Sequence, residues 1–434
     1  MRAAGAVGVL SLSIAFAACG QSQPAEPRSG PAAPAASSAT RATPATTGAA
    51  SESPGSSVKD LAGALGLSRG AGVSADGLIP GGDCPPPAGD VASEIQAQAR
   101  AAVPLKVGLT LAYSWMRAPQ EEYECLIHVT KIEPAFIETS LSCNHPDRGG
   151  PYLRRVCRSD LRSARMLHTV YGVVKVIGPS GEDEPETIVG ATAFSMSSVE
   201  FAHMKRSGTM MQHYVELGPS GDLYKNGVGE LRVEGRGTMP VIINNHPLDV
   251  PVITARGTLA WNIGGRSIDT KDTAVILDDE RFPLFIDQLS TADSTASRIR
   301  FSTITYPSEG KDSLESGLLD NRHVDVYGIY FDFNSDRIRT ESEPVLNEIG
   351  AIMKKHPDWT LRIAGHTDNV GGNGEYNLQL SRRRSEAVRL ALVNRFGVAG
   401  ERLSSSGFGA GAPIETNDTP EGRARNRRVE LVRQ

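Results

Sequence analysis

The sequence predicts an α+β protein in which a β-rich region, a sandwich or barrel-like fold, precedes a C-terminal β-α-β-α-β-β module with a mixed sheet. Three observations predict it. From about Val58 to Pro307, short runs alternate apolar and polar residues at period two and are broken by Gly, Asn and Pro, as half-buried antiparallel strands are. After Tyr327 the pattern changes to helical stripes separated by short strands, which implies helices packed on one face of a sheet. Before both, Gln21 to Ser57 is almost wholly Ala, Pro, Ser, Thr and Gly; it cannot bury enough apolar surface to offset its ordering entropy, and reads as a disordered linker.

At 434 residues there is room for two or three domains. The net charge of -5 gives no excess of cations for nucleic acid, so no nucleic-acid partner is expected. Arg2, the apolar stretch Ala3 to Phe16 and the small residues Ala17 and Ala18 form a signal peptide too short for a comfortable bilayer span. Four segments follow: residues 1–19 as a lipoprotein signal peptide, 20–57 as linker, 58–320 as a β-rich domain of unassigned function, and 321–434 as the C-terminal module.

Phe16-Ala17-Ala18-Cys19 resembles the lipobox of bacterial lipoproteins, with Phe16 where that motif usually has Leu. The resemblance implies that Cys19 is lipidated, for instance with palmitate; Gly20 in place of Asp implies the outer membrane, facing the periplasm. Each buried methylene of such a lipid contributes about 0.8 kcal/mol. The alternative is an ordinary cleaved signal with an incidental cysteine. Stretched out, the linker would reach on the order of 100 Å at about 3.1 Å per residue. Cys84, Cys125, Cys143 and Cys157 remain, an even number in an exported chain, and two disulfides are expected. The short separation favours Cys143 with Cys157, leaving Cys84 with Cys125. A metal site from Cys143, His145 and Cys157 is the rival, without the spacing of a paired CxxC site.

In the β-rich region, helices are expected at Val58 to Leu67, Val91 to Val103 and Arg155 to Met166. Strands are expected at Lys106 to Trp115, Tyr123 to Lys131, Ala135 to Cys143, Val170 to Ile177, Gly229 to Val233, Pro240 to Asn244, Val252 to Trp261 and Arg298 to Thr305. No family motif is found here. His128, His168, His203, His213 and His246 lack paired metal spacing, and Ser195-Met196-Ser197-Ser198 lacks the GxSxG context of a nucleophile. No cofactor and no catalysis are expected.

In the module, Tyr327 to Phe333 alternates as a strand, and Thr340 with Glu343 suggests a capping box. Val345, Ile349, Ile352 and Met353 give a helical stripe ending before Pro357. Thr360 to Ala364 reads as a strand, Tyr376 to Phe396 as a helix stopped by Gly397, and Leu403 to Gly407 and Arg428 to Val432 as two further strands. At about 100° per residue, Arg384 falls in the middle of the stripe of Leu380, Ala387, Val388, Ala391 and Leu392. A cation there is costly to bury unpaired, so it needs an anionic partner or a cleft. Asp368 is the nearest candidate anion, and an internal salt bridge that pins the helix is the structural alternative. Asn377 shares that face.

Gly365-His366-Thr367-Asp368-Asn369-Val370-Gly371, then Asn377, Leu380-Ser381 and Arg384, resembles the OmpA-like peptidoglycan-binding family. Gly407, Pro413, Asn417 and the run from Gly422 to Glu430 continue the match over about the last quarter of the chain. The resemblance implies that Asp368 and Arg384 hold the ammonium and carboxylate of diaminopimelate in the peptidoglycan stem peptide, with Asn377, Thr367 and Asn369 as further contacts. A guanidinium fork suits a carboxylate, and partners of both signs select a zwitterion. The loop Gly371 to Glu375 is one residue longer than the family's usual spacing, and Ser385 replaces a usual alanine. Arg423, Arg425, Arg427 and Arg428 are read as structural. The chain is thus expected to tether the outer membrane to the cell wall. The alternatives are an assembly factor whose β-rich domain docks an envelope protein partner, or a wall-acting enzyme delivered by the module.

Overall fold

In the computed structural model of the chain, the described residues are 79–80, 82–117, 121–144, 151–164, 166–168, 185–217, 223–263, 266–293, 295–307 and 314–434. The signal peptide expected at residues 1–19 with Cys19, the linker expected at 20–57, the helix expected at Val58 to Leu67 and the strand expected at Val170 to Ile177 lie outside them. Among the described residues no helix is long and apolar enough to cross a membrane.

Among the described residues the β-rich region is one continuous sheet of 14 strands. Its centre is the antiparallel series β2 (Thr110–Arg117), β3 (Glu121–Ile132), β4 (Phe136–Cys143) and β5 (Tyr152–Cys157) on one side, joined through β14 (Thr295–Thr305) to β13 (Phe285–Ala292), β12 (Arg266–Leu277), β11 (His246–Ile263) and β10 (Leu223–Ile243). A bulge in β14 between Phe301 and Thr303 bends that strand. Before the bend it pairs with β13; after it, Thr303 and Ile304 pair with Ile242 and Ile243 of β10. Strands β10 to β14 therefore close on themselves at one end, which makes the fold barrel-like, as the alternation implied. The enclosed core includes Leu111, Tyr113, Val129, Ile137, Val241, Val252, Ile286 and Phe301. A second cluster under the helix Ser198–Ser207 gathers Phe201, Met204, Tyr214, Leu231 and Leu259.

Several expectations need correction here. Gly229 to Val233 and Pro240 to Asn244 belong to one 21-residue strand, because its ladder with β11 continues through a bulge between Val233 and Gly235. Helix Arg155 to Met166 is replaced by β5, which pairs with β4, followed by a short helix Arg158–Ser163; sheet pairing overrides local preference. The disulfides are Cys84–Cys157 and Cys125–Cys143, not the expected pairs. Cys125 and Cys143 stand directly opposite each other on β3 and β4. Cys157 stands opposite Phe136, at the far end of β4 from Cys143. At about 3.3 Å per residue the separation is far beyond a disulfide's reach. With both cysteines bonded elsewhere, the rival metal set is also excluded.

The C-terminal module has its own four-stranded sheet, in the order β15 (His323–Val326), β18 (Val429–Arg433), β16 (Leu361–His366), β17 (Leu403–Gly409). Only the β16–β17 pair is parallel, so the sheet is mixed. Helices α5 (Glu343–Lys355) and α6 (Gly374–Phe396) cover it, burying Val345, Ile349, Ile352, Met353, Val388 and Leu392. Leu314 and Leu318, on the helix Leu314–Asp320, join the same core. The first strand is His323–Val326 rather than Tyr327 to Phe333; the latter is irregular apart from one bridge between Phe331 and Ile338. The capping box does not form: Thr340 opens a short 3-10 turn, and Glu343 pairs with Arg395. A further short helix, α7 (Pro420–Asn426), separates the last two strands.

Residues Ser56 to Gln434 form one compact unit. Tyr330 of the module is buried against Ala112 and Leu126 of the β-rich region. Ion pairs Glu122–Arg423 (2.6 Å), Glu124–Arg427 (3.1 Å) and Arg300–Glu421 (2.6 Å) cross the same contact. The Ser142 hydroxyl also donates across it to Glu341 Oε1 at 3.0 Å.

Candidate functional site

Strand β16 runs into helix α6 and on to the parallel strand β17, so the loop after His366 lies at the carboxyl end of a parallel strand pair, where binding groups collect in open sheets. Helix and sheet approach very closely there. A Cβ on Gly365 would stand 2.4 Å from the Ser381 carbonyl oxygen, and one on Gly407 would stand 2.4 Å from the Arg382 nitrogen. These two glycines let α6 lie directly on the strands, with Ser381 fully buried. The helix begins at an N-cap, Asn373, whose side chain accepts from the Tyr376 N–H at 2.8 Å, and stops at Gly397 in the left-handed region, φ 68°. The longer loop thus ends in a cap and starts the helix earlier than Tyr376. Ser385 fits without strain, buried with its hydroxyl donating to the Arg382 carbonyl at 3.0 Å.

Asp368 is buried at 8% exposure. Its Oδ1 accepts from the Val370 N–H at 3.0 Å, and its Oδ2 accepts from Arg427 Nη1 at 2.7 Å. Asn377, also buried, donates from Nδ2 to the Asp368 carbonyl at 3.3 Å, so it braces the loop. Thr367 is buried, its N–H bound to the Gly409 carbonyl; Asn369 is exposed. His366 stacks on Phe408 and reaches Glu430, whose carboxyl it holds below the ordinary glutamate value.

Arg384 does not pair with Asp368. Its Nε donates to the Ser335 carbonyl at 3.0 Å, and its guanidinium lies over the Phe331 ring, 4.8 Å from the centroid. No ion pair joins it to a described carboxylate. Burial pushes its pKa below the ordinary arginine value, opposed by the charges of Glu124 and then Asp368. For Arg427, burial acts in the same direction, but Glu124 and Asp368 outweigh it and hold the guanidinium above its ordinary value. Thr367 Oγ1 and Arg427 Nη2 are buried without a hydrogen-bond partner among the described residues. The arrangement brings two guanidiniums and two carboxylates together, with one cation unpaired, which suits a small zwitterion.

Sequence reasoning placed Asp368, Arg384, Thr367 and Asn377 in one neighbourhood and missed Arg427 and Glu124. Arg427 lies within the basic run read as structural. Glu124 comes from the other region of the chain, and no local signal marks it.

A family model described as the OmpA family matches residues 330–427. That segment is an OmpA family domain. Outer membrane porin F of Pseudomonas aeruginosa is 42% identical over 102 residues, 24% of this chain and 29% of the porin. Peptidoglycan-binding protein ArfA of Mycobacterium tuberculosis is 47% identical over 88 residues, 20% of this chain and 26% of that protein. The match therefore spans less than a third of each of these relatives. Among solved structures, the peptidoglycan-associated lipoprotein from Burkholderia pseudomallei is similar at 35% identity, covering 24% of this chain and 88% of that one, with a TM-score of 0.23. The segment matched by the family model ends within a few residues of the strand Val429–Arg433.

Proposed function

We propose that the chain is an outer-membrane lipoprotein that binds peptidoglycan non-covalently through the diaminopimelate of the stem peptide, tethering membrane to wall without catalysis. The observation that carries the reading is Arg384, a half-buried guanidinium with no ion-pair partner among the described residues, whose charge is favoured by Glu124 and by the buried carboxylate of Asp368. A cation kept unpaired in a partly dry site is costly unless an anionic ligand completes it. In this reading Arg384 takes the side-chain carboxylate of diaminopimelate and Asp368 its ammonium. The buried Thr367 hydroxyl supplies a further polar contact, and Asn369 stands at the rim. The role printed in the name of a relative 47% identical over 88 residues supports the ligand class. Lipidation at Cys19 rests on the lipobox resemblance of Phe16-Ala17-Ala18-Cys19.

The test is titration of the purified full chain with diaminopimelate and, separately, with lysine, which lacks the second carboxylate. Saturable binding of diaminopimelate and much weaker binding of lysine is the expected result. Equal affinity for both, or none for either, would remove diaminopimelate as the recognised group.

A further inference from the structure

One of the anions at the OmpA domain's site comes from outside that domain. Glu124 lies on β3 of the β-rich region, and its Oε1 accepts from Arg427 Nε at 3.1 Å while Asp368 accepts from Nη1 of the same guanidinium. It is also the anion that most strongly favours the charged form of Arg384.

We propose that Glu124 is a resident carboxylate that holds Arg427, the guanidinium paired with Asp368, so that the β-rich region keeps the wall-binding site partly occluded beside Arg384 and the carboxylate of the peptide stem must compete with it for the site's cations. This rests on the function proposed above. Three observations carry it. First, Glu124 presents the functional group the site is built to receive, to a guanidinium of that site. Second, it is held on a rigid platform. Its N–H donates to Asn144 Oδ1 at 2.7 Å, and the next residue, Cys125, is bonded to Cys143 on the neighbouring strand. Third, a second clamp stands two residues away on the same strand face, where Glu122 pairs with Arg423 at 2.6 Å.

The contact is also displaceable. The side chains of Glu124 and Arg427 are 27% and 19% exposed, so the pair can be reached from solvent. Arg300, two strands away from Glu124 in the same cross-strand row and paired with Glu421, is 1% exposed and is the permanent part of the contact. Release of Glu124 thus frees the site without requiring the two regions to separate entirely.

Saturation binding of the full chain to purified sacculi tests the proposal, comparing wild type with Glu124→Gln, Glu122→Gln and Arg384→Ala. Removing an internal competitor worth a weak ion pair should tighten binding about threefold or more in Glu124→Gln. Glu122→Gln touches no atom of the site, yet loosens the clamp and should shift affinity in the same direction. Arg384→Ala should stay at background. If wild type binds and Glu124→Gln binds equally or more weakly, the carboxylate does not compete and self-occlusion is overturned, while wall binding stands. If no protein pellets with sacculi, the wall reading fails and this proposal with it. Binding by Glu124→Gln alone would support both.

Discussion

Asp368 carries a structural duty that Arg384 does not. It accepts from a loop N–H and neutralises Arg427, so Asp368→Ala leaves a largely buried guanidinium short of one of its two anions. That change should lower stability by about 2 kcal/mol, read as a shift in the denaturation midpoint. Arg384→Ala loses one hydrogen bond and one ring contact and should cost no more than about 1 kcal/mol. A loss of wall binding in Arg384→Ala is therefore attributable to recognition, whereas the same loss in Asp368→Ala mixes recognition with stability. A separate residue sets a pH dependence. Asp160 accepts from the Gly190 N–H, and burial raises its pKa from 3.8 to about 6. A carboxyl raised by folding contributes its full stability below the unfolded value, and the contribution is lost as pH rises through about 4 to 6. Asp160→Asn keeps an acceptor for Gly190 and removes the titration. Its melting temperature relative to wild type should climb between pH 4 and pH 7; a difference independent of pH would contradict the assignment.

At the scale of elements, the two disulfides close loops of unequal length, with sequence separations of 73 for Cys84–Cys157 and 18 for Cys125–Cys143. In the chain-entropy model, losing the longer one should destabilise by about 1 kcal/mol more than losing the shorter, which melting of the two double-alanine variants would measure. That connectivity was not legible in the sequence, because nearness along the chain says nothing about which strand ends face each other. The two long helices of the module, α5 and α6, were legible from their apolar stripes and their stops before Pro357 and at Gly397, whereas the short helices Leu314–Asp320 and Pro420–Asn426 were not. Tyr327 to Phe333 misled for a physical reason. Ile329 faces the domain's own core while Tyr330 packs on Ala112 and Leu126 of the β-rich region. A segment held between two cores alternates in the same way as a strand. Strand β10 was read as two pieces because its middle, around Gly235 and Gly237, is exposed and carries no core-facing pattern. The neighbourhood of Asp368 and Arg384 was legible because the residue types and their order carry it. Glu124 was not, because its role arises only from the packing of two distant parts of the chain.

For the molecule as a whole, the contact between the β-rich region and the OmpA domain depends on charge pairs that differ in burial. Arg300 is fully buried, donating to Glu421 and to the Pro240 carbonyl, and burial lowers its pKa against the opposing charge of Glu421. Glu421→Ala strands that cation and should cost about 3 kcal/mol in chemical denaturation, the largest loss among the surface carboxylates of the interface. The tether reading further requires an anchor at the other end. Cys19→Ala should move the protein from the membrane fraction to the soluble fraction of cells, and retention in the membrane would argue against lipidation there. The central claim is that Arg384 recognises the wall. Co-sedimentation of the full chain with purified sacculi, wild type beside Arg384→Ala, with and without competing diaminopimelate, tests it most directly. The account predicts that wild type pellets, that free diaminopimelate releases it, and that Arg384→Ala stays in the supernatant with its fold intact. Pelleting that is indifferent to both Arg384 and the amino acid would contradict it.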